Sequence, residues 1–480
     1  CLKTYNCQLK KFMKQPSILA VSLFLSLVIS AQKSIDGAWE GKLNTGTFSL
    51  RLVVHLKKEA TGFSGTMDSP DQGAKDIALS KVELRGDSIL MEVASVGGKA
   101  VGRLVNDSTF SGQWSQGPAS LPLEMKKVAR PTTISRPQTP RPPFAYLSED
   151  VIYYNEDKSI QYGATITMPK GAGPFPAMIL ITGSGQQNRD EELFSHKPFA
   201  VIADYLSKRG YAVLRVDDRG VGKTTGKADP ATSRDFANDV IVGLEYLKGR
   251  KEVDKGKIGM LGHSEGGMIA QIVAAERPDV AFVISLAGPG QPIDELMRDQ
   301  GRAVMQAAGV SKEAINATSA FTTQVVPAVL SAASDSAAKK VAKEIFTAWA
   351  KQTSKEIVEA TTGIKEDKDL DQMVDVYRSP WMMYFFRYDP DPFIRRMKAK
   401  VLVLNGEKDI QVAAKPNLDG WRASLSNSGV KKFDLFEIKG LNHLFQRCKT
   451  CTIQEYAQLE ETIAPEALET IGNWLKTNVK

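Results

Sequence analysis

Two kinds of hydrophobic pattern divide the chain. From residue 33 to residue 128 the apolar positions recur in short runs, and in the run at 48–56 a leucine or valine fills every second position from Leu50 to Leu56. A period of two is typical of a strand with one buried face. Further runs of this kind lie at 63–67, 77–84, 88–94, 99–105, 109–114 and 121–127. Their spacing of roughly ten residues predicts a small antiparallel barrel or sandwich over residues 32–129.

A proline-rich stretch follows this region. Residues 130–143 carry five prolines and show neither a helix nor a strand pattern. Prolines in such number stiffen and extend a chain. The sequence therefore predicts a linker at 130–144 and a domain boundary within it.

In residues 145–480 the pattern changes to apolar runs that alternate with helical stretches. Buried strands are predicted at 177–181, 212–216, 258–261, 281–286, 401–404 and 432–438, and helices at 197–209, 236–248 and 265–276. Strand–helix alternation indicates an α/β protein with a mainly parallel sheet covered by helices on both faces. The helix-rich interval 291–396 breaks this rhythm and predicts a helical cap inserted between two strands.

The N-terminal residues have the layout of an export signal. Residues 13–31 contain a lysine, an apolar stretch at 18–29, and then Ser30 and Ala31. This order predicts a signal peptide cleaved after Ala31, with residues 1–12 as an upstream extension. We therefore expect a periplasmic or secreted protein. The alternative is an uncleaved N-terminal anchor, and only then would a membrane be a partner.

Composition and charge narrow the classes further. The 480 residues are 42% hydrophobic and 24% charged, which is typical of a globular protein with two or three domains. The net charge is 62 − 55 = +7, and four of the lysines precede Ala31. The remaining excess of +3 gives no reason to expect a nucleic-acid partner.

Only two cysteines follow the predicted cleavage point, Cys448 and Cys451, in a C-x-x-C spacing. In an oxidising compartment this pair predicts a small disulfide loop. A thioredoxin-like redox motif would follow a strand and open a helix. A zinc site would need two further ligands. We expect neither of these.

A G-x-S-x-G motif centred on Ser264 lies between a predicted strand and a predicted helix. This context is required for a nucleophile elbow, the sharp turn that exposes a serine hydroxyl above a sheet edge. Ser264 is therefore the candidate nucleophile. The N–H of Glu265, at the start of the helix, is the first candidate oxyanion donor.

A serine nucleophile needs a base, and the chain has four histidines. His55 lies in the all-β region. His263 adjoins the serine, but the elbow should turn its side chain away, into a packing role. His196 precedes a helix and is either close to substrate or on the surface. By elimination and by chain order, His443 near the C-terminus is the predicted base.

The acid that orients the base should come between the serine and the histidine in the chain. Asp409 follows the buried strand at 401–404 directly, so it lies at the carboxyl end of that strand. It would fix the tautomer of the imidazole. Glu407 is the second choice and Asp434 a weaker one, and the alternative role for Asp409 is to cap a loop.

The second oxyanion donor should lie in a loop after an early strand. Residues 181–186, with the sequence ITGSGQ, bring glycines to a point where backbone and substrate must approach closely. We predict the N–H of Ser184, with that of Gly185 as second choice. The alternative is a simple tight turn.

Several motifs together resemble a known family. They are TGSGQQNRDE at 182–191, DDRGVGKTTG at 217–226, GHSEGG at 262–267, NGEKDIQV at 405–412 and GLNHLFQ at 440–446. Residues 145–480 resemble an α/β hydrolase, and more narrowly the secreted bacterial esterases of the dienelactone-hydrolase-like and acyl-CoA-thioesterase-related branch. The opening Gly37-Ala-Trp39 of the all-β region resembles that of lipocalin-like barrels.

The resemblance implies a serine hydrolase that cleaves carboxylic esters through an acyl-enzyme intermediate and needs no cofactor or metal. The substrate would be a small acyl ester. Thioester and amide hydrolysis use the same machinery, so they remain alternatives. An aminopeptidase-like enzyme would need carboxylates for a substrate amine, and Asp294, Glu295 and Asp299 on the cap could supply them. A different class is a non-catalytic protein whose barrel binds a sugar or lipid.

Overall fold

The computed structural model describes residues 34–44, 49–117, 119–132 and 135–480. The predicted signal segment at 1–31 lies outside these residues. Two β-sheets account for the strands that are described, and each sheet has a hydrophobic core of its own. Within the described ranges no helix combines the length and the apolar character needed to cross a membrane.

The first sheet contains nine antiparallel strands. They are β1 (Gly37–Asn44), β2 (Ser49–Glu59), β3 (Gly62–Ser69), β4 (Ala74–Ala78), β5 (Lys81–Arg85), β6 (Ser88–Val93), β7 (Gly98–Asn106), β8 (Thr109–Gln116) and β9 (Ala119–Val128). Their spatial order is β4-β3-β2-β1-β9-β8-β7-β6-β5. The two edge strands, β4 and β5, are consecutive in sequence, so the sheet curls until its edges meet around a core that includes Trp39 and Phe110.

The predicted all-β region is confirmed, with one correction of detail. The run at 77–84 is not one strand, because β4 ends at Ala78 and β5 begins at Lys81. Between them Leu79 donates its N–H to Gly65 and Ser80 donates to Glu92, so the chain crosses from one side of the curled sheet to the other. Two consecutive short strands on opposite edges share a single hydrophobic run, which periodicity alone does not separate.

The second sheet contains eight strands. They are β10 (Leu147–Tyr154), β11 (Gln161–Met168), β12 (Phe175–Ile181), β13 (Ala212–Val216), β14 (Val253–His263), β15 (Phe282–Leu286), β16 (Lys400–Gly406) and β17 (Phe433–Ile438). Their order is β10-β11-β13-β12-β14-β15-β16-β17. Strand β11 is antiparallel to both neighbours, and every pair from β13 to β17 is parallel.

Helices surround this sheet. They are α1 (Pro198–Ser207), α2 (Ser233–Gly249), α3 (Glu265–Glu276), α4 (Ile293–Ala307), α5 (Lys312–Ser331), α6 (Asp335–Ala350), α7 (Lys355–Thr362), α8 (Asp367–Tyr377), α9 (Pro380–Phe386), α10 (Asp391–Ile394), α11 (Ala414–Ser426), α12 (Ile453–Tyr456) and α13 (Pro465–Asn478). Helices α4 to α10 lie between β15 and β16, where the sequence predicts a cap. The α/β class and the helical insertion are confirmed.

Local signals explain where several helices begin. Helix α2 starts with a capping box, in which Thr232 and Asp235 satisfy each other's backbone N–H groups. Ser311, Ser334 and Ser354 cap three of the inserted helices by accepting an N–H three residues on. These N-terminal hydrogen bonds let the helices of the insertion begin without support from the sheet.

Candidate active site

Ser264 occupies a strained turn between β14 and α3. Its φ of 53° and ψ of −120° are rare for a residue with a side chain. Two hydrogen bonds hold the turn, from Ser264 N–H to the Leu286 carbonyl at 2.8 Å and from Gly267 N–H to the Ser264 carbonyl at 2.9 Å. A Cβ on Gly262 would lie 2.1 Å from the Gly266 carbonyl oxygen, so glycine is required there. The elbow predicted from the G-x-S-x-G motif is therefore formed.

The predicted base and acid meet in the structure. His443 Nδ1 lies 2.8 Å from Asp409 Oδ2, and both side chains are buried. The other oxygen of Asp409 accepts the N–H groups of Gln411 at 2.8 Å and Val412 at 2.9 Å. An ionised carboxylate fixed in this way makes Nδ1 the protonated nitrogen of His443. The second nitrogen, Nε2, is then the one available to accept a proton.

The two alternative acids lie elsewhere. Glu407 accepts the N–H of Gly440 at 2.9 Å, and Asp434 accepts the indole N–H of Trp474 at 2.8 Å. Neither carboxylate contacts an imidazole. Asp409 also caps its own loop, so one side chain makes both the capping contacts and the contact with His443.

The predicted oxyanion loop, residues 182–187, passes close to Ser264. A Cβ on Gly183 would lie 3.3 Å from the Ser264 Cβ. Ser184 lines the same cavity as Ser264 and Glu265, whereas Gly185 lines a separate, smaller one. Among the described residues nothing accepts the N–H of Ser184 or Glu265. The placement thus favours Ser184 over Gly185 as the second donor.

Ionisable side chains hold this loop in place through hydrogen bonds. Asp218 accepts the Thr182 hydroxyl at 2.8 Å and the Gln187 N–H at 2.9 Å. Burial raises the pKa of Asp218 to about 7, and the nearby Glu191 and Glu265 carboxylates add to this effect. The partly buried Arg189 pairs with the buried Asp217, with 3.0 Å between Nε and Oδ1. Sequence reasoning gave these residues no role, although they lie in the RDE and DDR segments of two recognised motifs.

His263 has a definite partner on each ring nitrogen. Its Nδ1 lies 3.0 Å from Glu191 Oε1, and its Nε2 lies 3.0 Å from the His443 carbonyl oxygen. Burial lowers the pKa of His263, but the Glu191 carboxylate, the His443 carbonyl and the charge of Asp409 together raise it by more, so that it lies above the ordinary value. The sequence predicts only a packing role for His263, whereas the structure gives a hydrogen-bond partner to each of its ring nitrogens.

The other two histidines have partners other than Ser264 and Asp409. His55 lies in β2 and contacts Asp68 at 3.0 Å. His196 is buried, with Nδ1 2.9 Å from the Thr462 hydroxyl and Nε2 3.0 Å from the Tyr456 carbonyl oxygen. Burial, helped by the charge of Arg136, lowers the pKa of His196 to about 4. The surface alternative for His196 is wrong, since it forms part of the cavity wall.

Ser264 and His443 open onto one cavity of about 350 Å³ between the sheet edge and the cap. Its apolar lining includes Leu193, Ile293, Leu296, Met382, Phe385 and Leu444. Two buried carboxylates line the cavity, and both already have hydrogen-bond partners. Glu191 contacts Gly183 and His263. Glu265 accepts the Ser233 hydroxyl at 2.6 Å and the Trp381 indole N–H at 2.8 Å.

The acidic residues of the cap do not reach this cavity. Asp294, Glu295 and Asp299 are absent from its lining. Asp294 pairs with Arg298 at 2.9 Å, and Asp299 accepts the Gln291 amide at 3.2 Å. They are therefore not placed to bind a substrate amine.

The proline-rich segment touches the cavity wall. The Arg136 guanidinium donates to the carbonyls of Phe194 at 2.9 Å and Ala457 at 2.8 Å, and also to Leu459. Gln138 accepts the N–H of Thr462, which itself lines the cavity. The sequence predicts only a spacer here, because periodicity does not report on docking of an irregular segment.

The C-x-x-C pair is a disulfide between Cys448 and Cys451. The Glu455 carboxylate accepts the N–H groups of Lys449, Thr450 and Cys451 at 2.7–2.8 Å. The loop is thus closed both covalently and by a buried acid.

The strand order, the single antiparallel strand β11, and an elbow serine after β14 with a buried acid–histidine pair after β16 and β17 define an α/β hydrolase. Residues 159–436, more than half of the chain, match the sequence profile of the X-Pro dipeptidyl-peptidase (S15) family. The chain belongs to this family.

Individual relatives are similar over shorter stretches. Esterase EstD of Thermotoga maritima is 39% identical over 138 residues, which cover 28% of this chain and 32% of EstD. The putative hydrolase YtaP of Bacillus subtilis is 30% identical over 122 residues, covering 22% and 41%. The chain thus spans about a third to two fifths of the length of these relatives.

Solved structures are also similar to this chain, at low sequence identity. An esterase of Pyrococcus furiosus is 16% identical with a TM-score of 0.41, over 70% of this chain and 92% of the esterase. The α/β hydrolase GrgF of Penicillium is 14% identical with a TM-score of 0.43, over 69% and 99%.

Proposed function

We propose that this protein hydrolyses carboxylic esters, with Ser264 as nucleophile, His443 as general base and acid, and Asp409 as the residue that orients His443. The observation that carries the proposal is the buried Asp409–His443 contact of 2.8 Å beside a cavity that Ser264 also lines. A serine hydroxyl requires such a base to attack at neutral pH.

In the proposed reaction His443 Nε2 takes the Ser264 proton as Oγ attacks the ester carbonyl. The carbonyl oxygen becomes an oxyanion and accepts the N–H groups of Glu265 and Ser184. When the C–O bond breaks, His443 returns the proton to the departing alcohol and an acyl-enzyme remains. Water, deprotonated by His443, then attacks the acyl carbon, and His443 returns that proton to Ser264 as the carboxylic acid leaves.

The cavity favours an ester with apolar groups. Its lining is mostly aliphatic and aromatic, and its two carboxylates already have partners. Uncharged apolar substrate groups lose nothing by entering such a space, whereas a charged group would be left without a partner.

Membership in the X-Pro dipeptidyl-peptidase family favours a second candidate, cleavage of dipeptides from an N-terminus. That reaction needs a site for the substrate ammonium group. Since Glu191 and Glu265 are engaged and the acids of the cap lie away, we rank ester hydrolysis first. A thioester would be cleaved by the same steps.

The test compares the wild type, Ser264→Ala and the control Ser331→Ala, an exposed serine on the cap. Each is assayed with p-nitrophenyl butyrate and with Ala-Pro-p-nitroanilide. We expect hydrolysis of the ester by the wild type and the control, and background rates for Ser264→Ala. Faster cleavage of the anilide would favour the peptidase. Absence of both activities in the wild type would favour a binding protein.

We further propose that the protein is exported to the periplasm or the medium. The disulfide between Cys448 and Cys451 supports this, because such bonds persist mainly in oxidising compartments. Cell fractionation followed by N-terminal sequencing tests it. A protein recovered only from the cytoplasm with free thiols would contradict the proposal.

A further inference from the structure

The side chains of Glu191 and His263 connect three segments: the predicted oxyanion loop, the turn of Ser264 and the loop of His443. Glu191 Oε1 accepts the N–H of Gly183, the residue before Ser184, at 2.7 Å. The same oxygen lies 3.0 Å from Nδ1 of His263, the residue before Ser264. His263 Nε2 then donates to the carbonyl oxygen of His443 at 3.0 Å. The chain of contacts ends on the peptide group of the proposed base.

The donor count fixes one proton of this pair. The Gly183 N–H can only donate and the His443 carbonyl can only accept, so Nε2 of His263 carries a proton. Burial lowers the pKa of His263, but the Glu191 carboxylate and the His443 carbonyl contribute to raising it above its ordinary value. The contact between Glu191 and Nδ1 therefore favours the protonated form of His263.

Such a pair is a costly way to stabilise a fold. Desolvation of two charges cancels much of their attraction, and an apolar pair of similar volume is often as stable. Glu191 also has a φ of 50°, in the left-handed region that disfavours a side chain. The strain and the burial of charge occur together at one point, beside Ser264.

We propose that Glu191 and His263 form a positioning pair, which sets the distance between the oxyanion loop and the loop of His443 around Ser264. This proposal rests on the proposed function. Neither residue takes a proton from the substrate in the reaction above. Their effect is on where the Ser184 N–H and the His443 ring lie when the oxyanion forms, so it should appear in kcat and not in KM.

The test uses Glu191→Gln in the full chain, with Glu192→Gln as the matched control. Glu192 is the next residue and contacts Asn188 and Lys197 on the outer side of the loop. A neutral amide at 191 can still accept the Gly183 N–H, but it lacks the negative charge that favours a proton on Nδ1 of His263. We expect kcat for p-nitrophenyl butyrate to fall about 10- to 100-fold, since a misplacement of about 1 Å can cost this much. KM should stay within about twofold.

A double variant separates positioning from general damage. His263→Gln removes the same link from the other side, so Glu191→Gln combined with His263→Gln should lose no more kcat than the worse single variant. If Glu191→Gln does not fold, His263→Gln alone carries the test, with circular dichroism as the check on folding.

Several results would overturn the proposal. They are a kcat within twofold of the wild type in a folded variant, a loss confined to KM, an equal loss in Glu192→Gln, or multiplying losses in the double variant. Ser264→Ala is assayed in parallel. Its inactivity together with full turnover by Glu191→Gln would refute the positioning pair alone, and full turnover by Ser264→Ala would refute the proposed function as well.

Discussion

The two sheets treat buried polar groups in opposite ways. In the nine-stranded sheet, Arg51 is the one buried charged side chain among the described residues up to 132, and it pairs with Asp71 at 3.2 Å. Around the eight-stranded sheet, buried ionisable groups gather in the loops at the carboxyl ends of the strands. They include Glu191, Asp217, His263, Glu265, Asp409 and His443.

This difference in buried ionisable groups indicates which part of the chain gives up folding stability for a functional site. A buried ion requires several kcal/mol of compensation from partners. The nine-stranded sheet meets this cost at Arg51, and the core cluster between its strands is apolar. The eight-stranded sheet meets it repeatedly at one edge, around the proposed active site.

The largest expected effect breaks one of those buried contacts. Asp409→Asn keeps the shape of the side chain but cannot hold Nδ1 of His443 as a donor, so kcat should fall by up to about 10⁴-fold. Steady-state kinetics with p-nitrophenyl butyrate measure this loss. Circular dichroism verifies that the variant is folded.

The control for this variant is Asp434→Asn, the same substitution at a carboxylate that contacts Trp474 instead of a histidine. We expect its kcat to stay within about twofold, as for a surface substitution away from the site. A larger loss in Asp434→Asn or in Glu407→Gln than in Asp409→Asn would show that the acid is misassigned.

The sequence predicts the features that local chemistry determines. Ser264 was identifiable because the elbow needs glycines at fixed spacing, and His443 because few histidines were available. By contrast, Glu191 and Arg136 act through partners 72 and more than 300 residues away. No local pattern encodes such a contact, so their roles emerged only from the fold. The sequence pattern also does not predict β10 and β11, the first two strands of the second sheet, because polar residues or glycine interrupt their apolar runs.

The second prediction tests whether the two cores are independent. Phe110→Ala removes a fully buried ring from the nine-stranded sheet, which should cost about 3–5 kcal/mol in the free energy of unfolding of that sheet. Urea titration should then show an early transition in tryptophan fluorescence while ester hydrolysis persists. The exposed Val105→Ala on β7 is the control. Concerted loss of fluorescence and activity would contradict separate cores.

A third prediction concerns the contact between the proline-rich linker and the hydrolase region. Because every proposed catalytic residue lies beyond residue 144, the sequence predicts that activity does not depend on the linker. The structure changes that expectation, since Arg136 holds the carbonyls of Phe194 and Ala457 next to the cavity. Charged hydrogen bonds of this kind contribute about 1.5–3 kcal/mol each.

We therefore expect Arg136→Ala to lower kcat/KM about tenfold, the effect of roughly 1.4 kcal/mol on the transition state. The matched control is Arg141→Ala, an exposed arginine of the same linker, for which no change is expected. Equal kcat/KM in Arg136→Ala and Arg141→Ala would show that the linker serves only as a spacer.

The smallest effect is expected at the disulfide. From the sequence, the bond between Cys448 and Cys451 should steady the loop of the base. In the structure that loop is held from within, because the Asn442 side-chain oxygen accepts the N–H groups of Leu444 at 3.0 Å and Gln446 at 2.9 Å. The disulfide lies just beyond this turn.

Closing so short a loop removes little chain entropy, so the double variant Cys448→Ser, Cys451→Ser should lose about 2 kcal/mol of stability or less. Its kcat should stay within about twofold, because the hydrogen bonds of Asn442 remain. Asn442→Ala breaks those hydrogen bonds with the disulfide intact, so it should lose more kcat than the cysteine variant. Thiol titration with and without reductant establishes that the wild-type bond is present. If the cysteine variant loses more kcat than Asn442→Ala, the covalent loop, and not the asparagine turn, holds the imidazole.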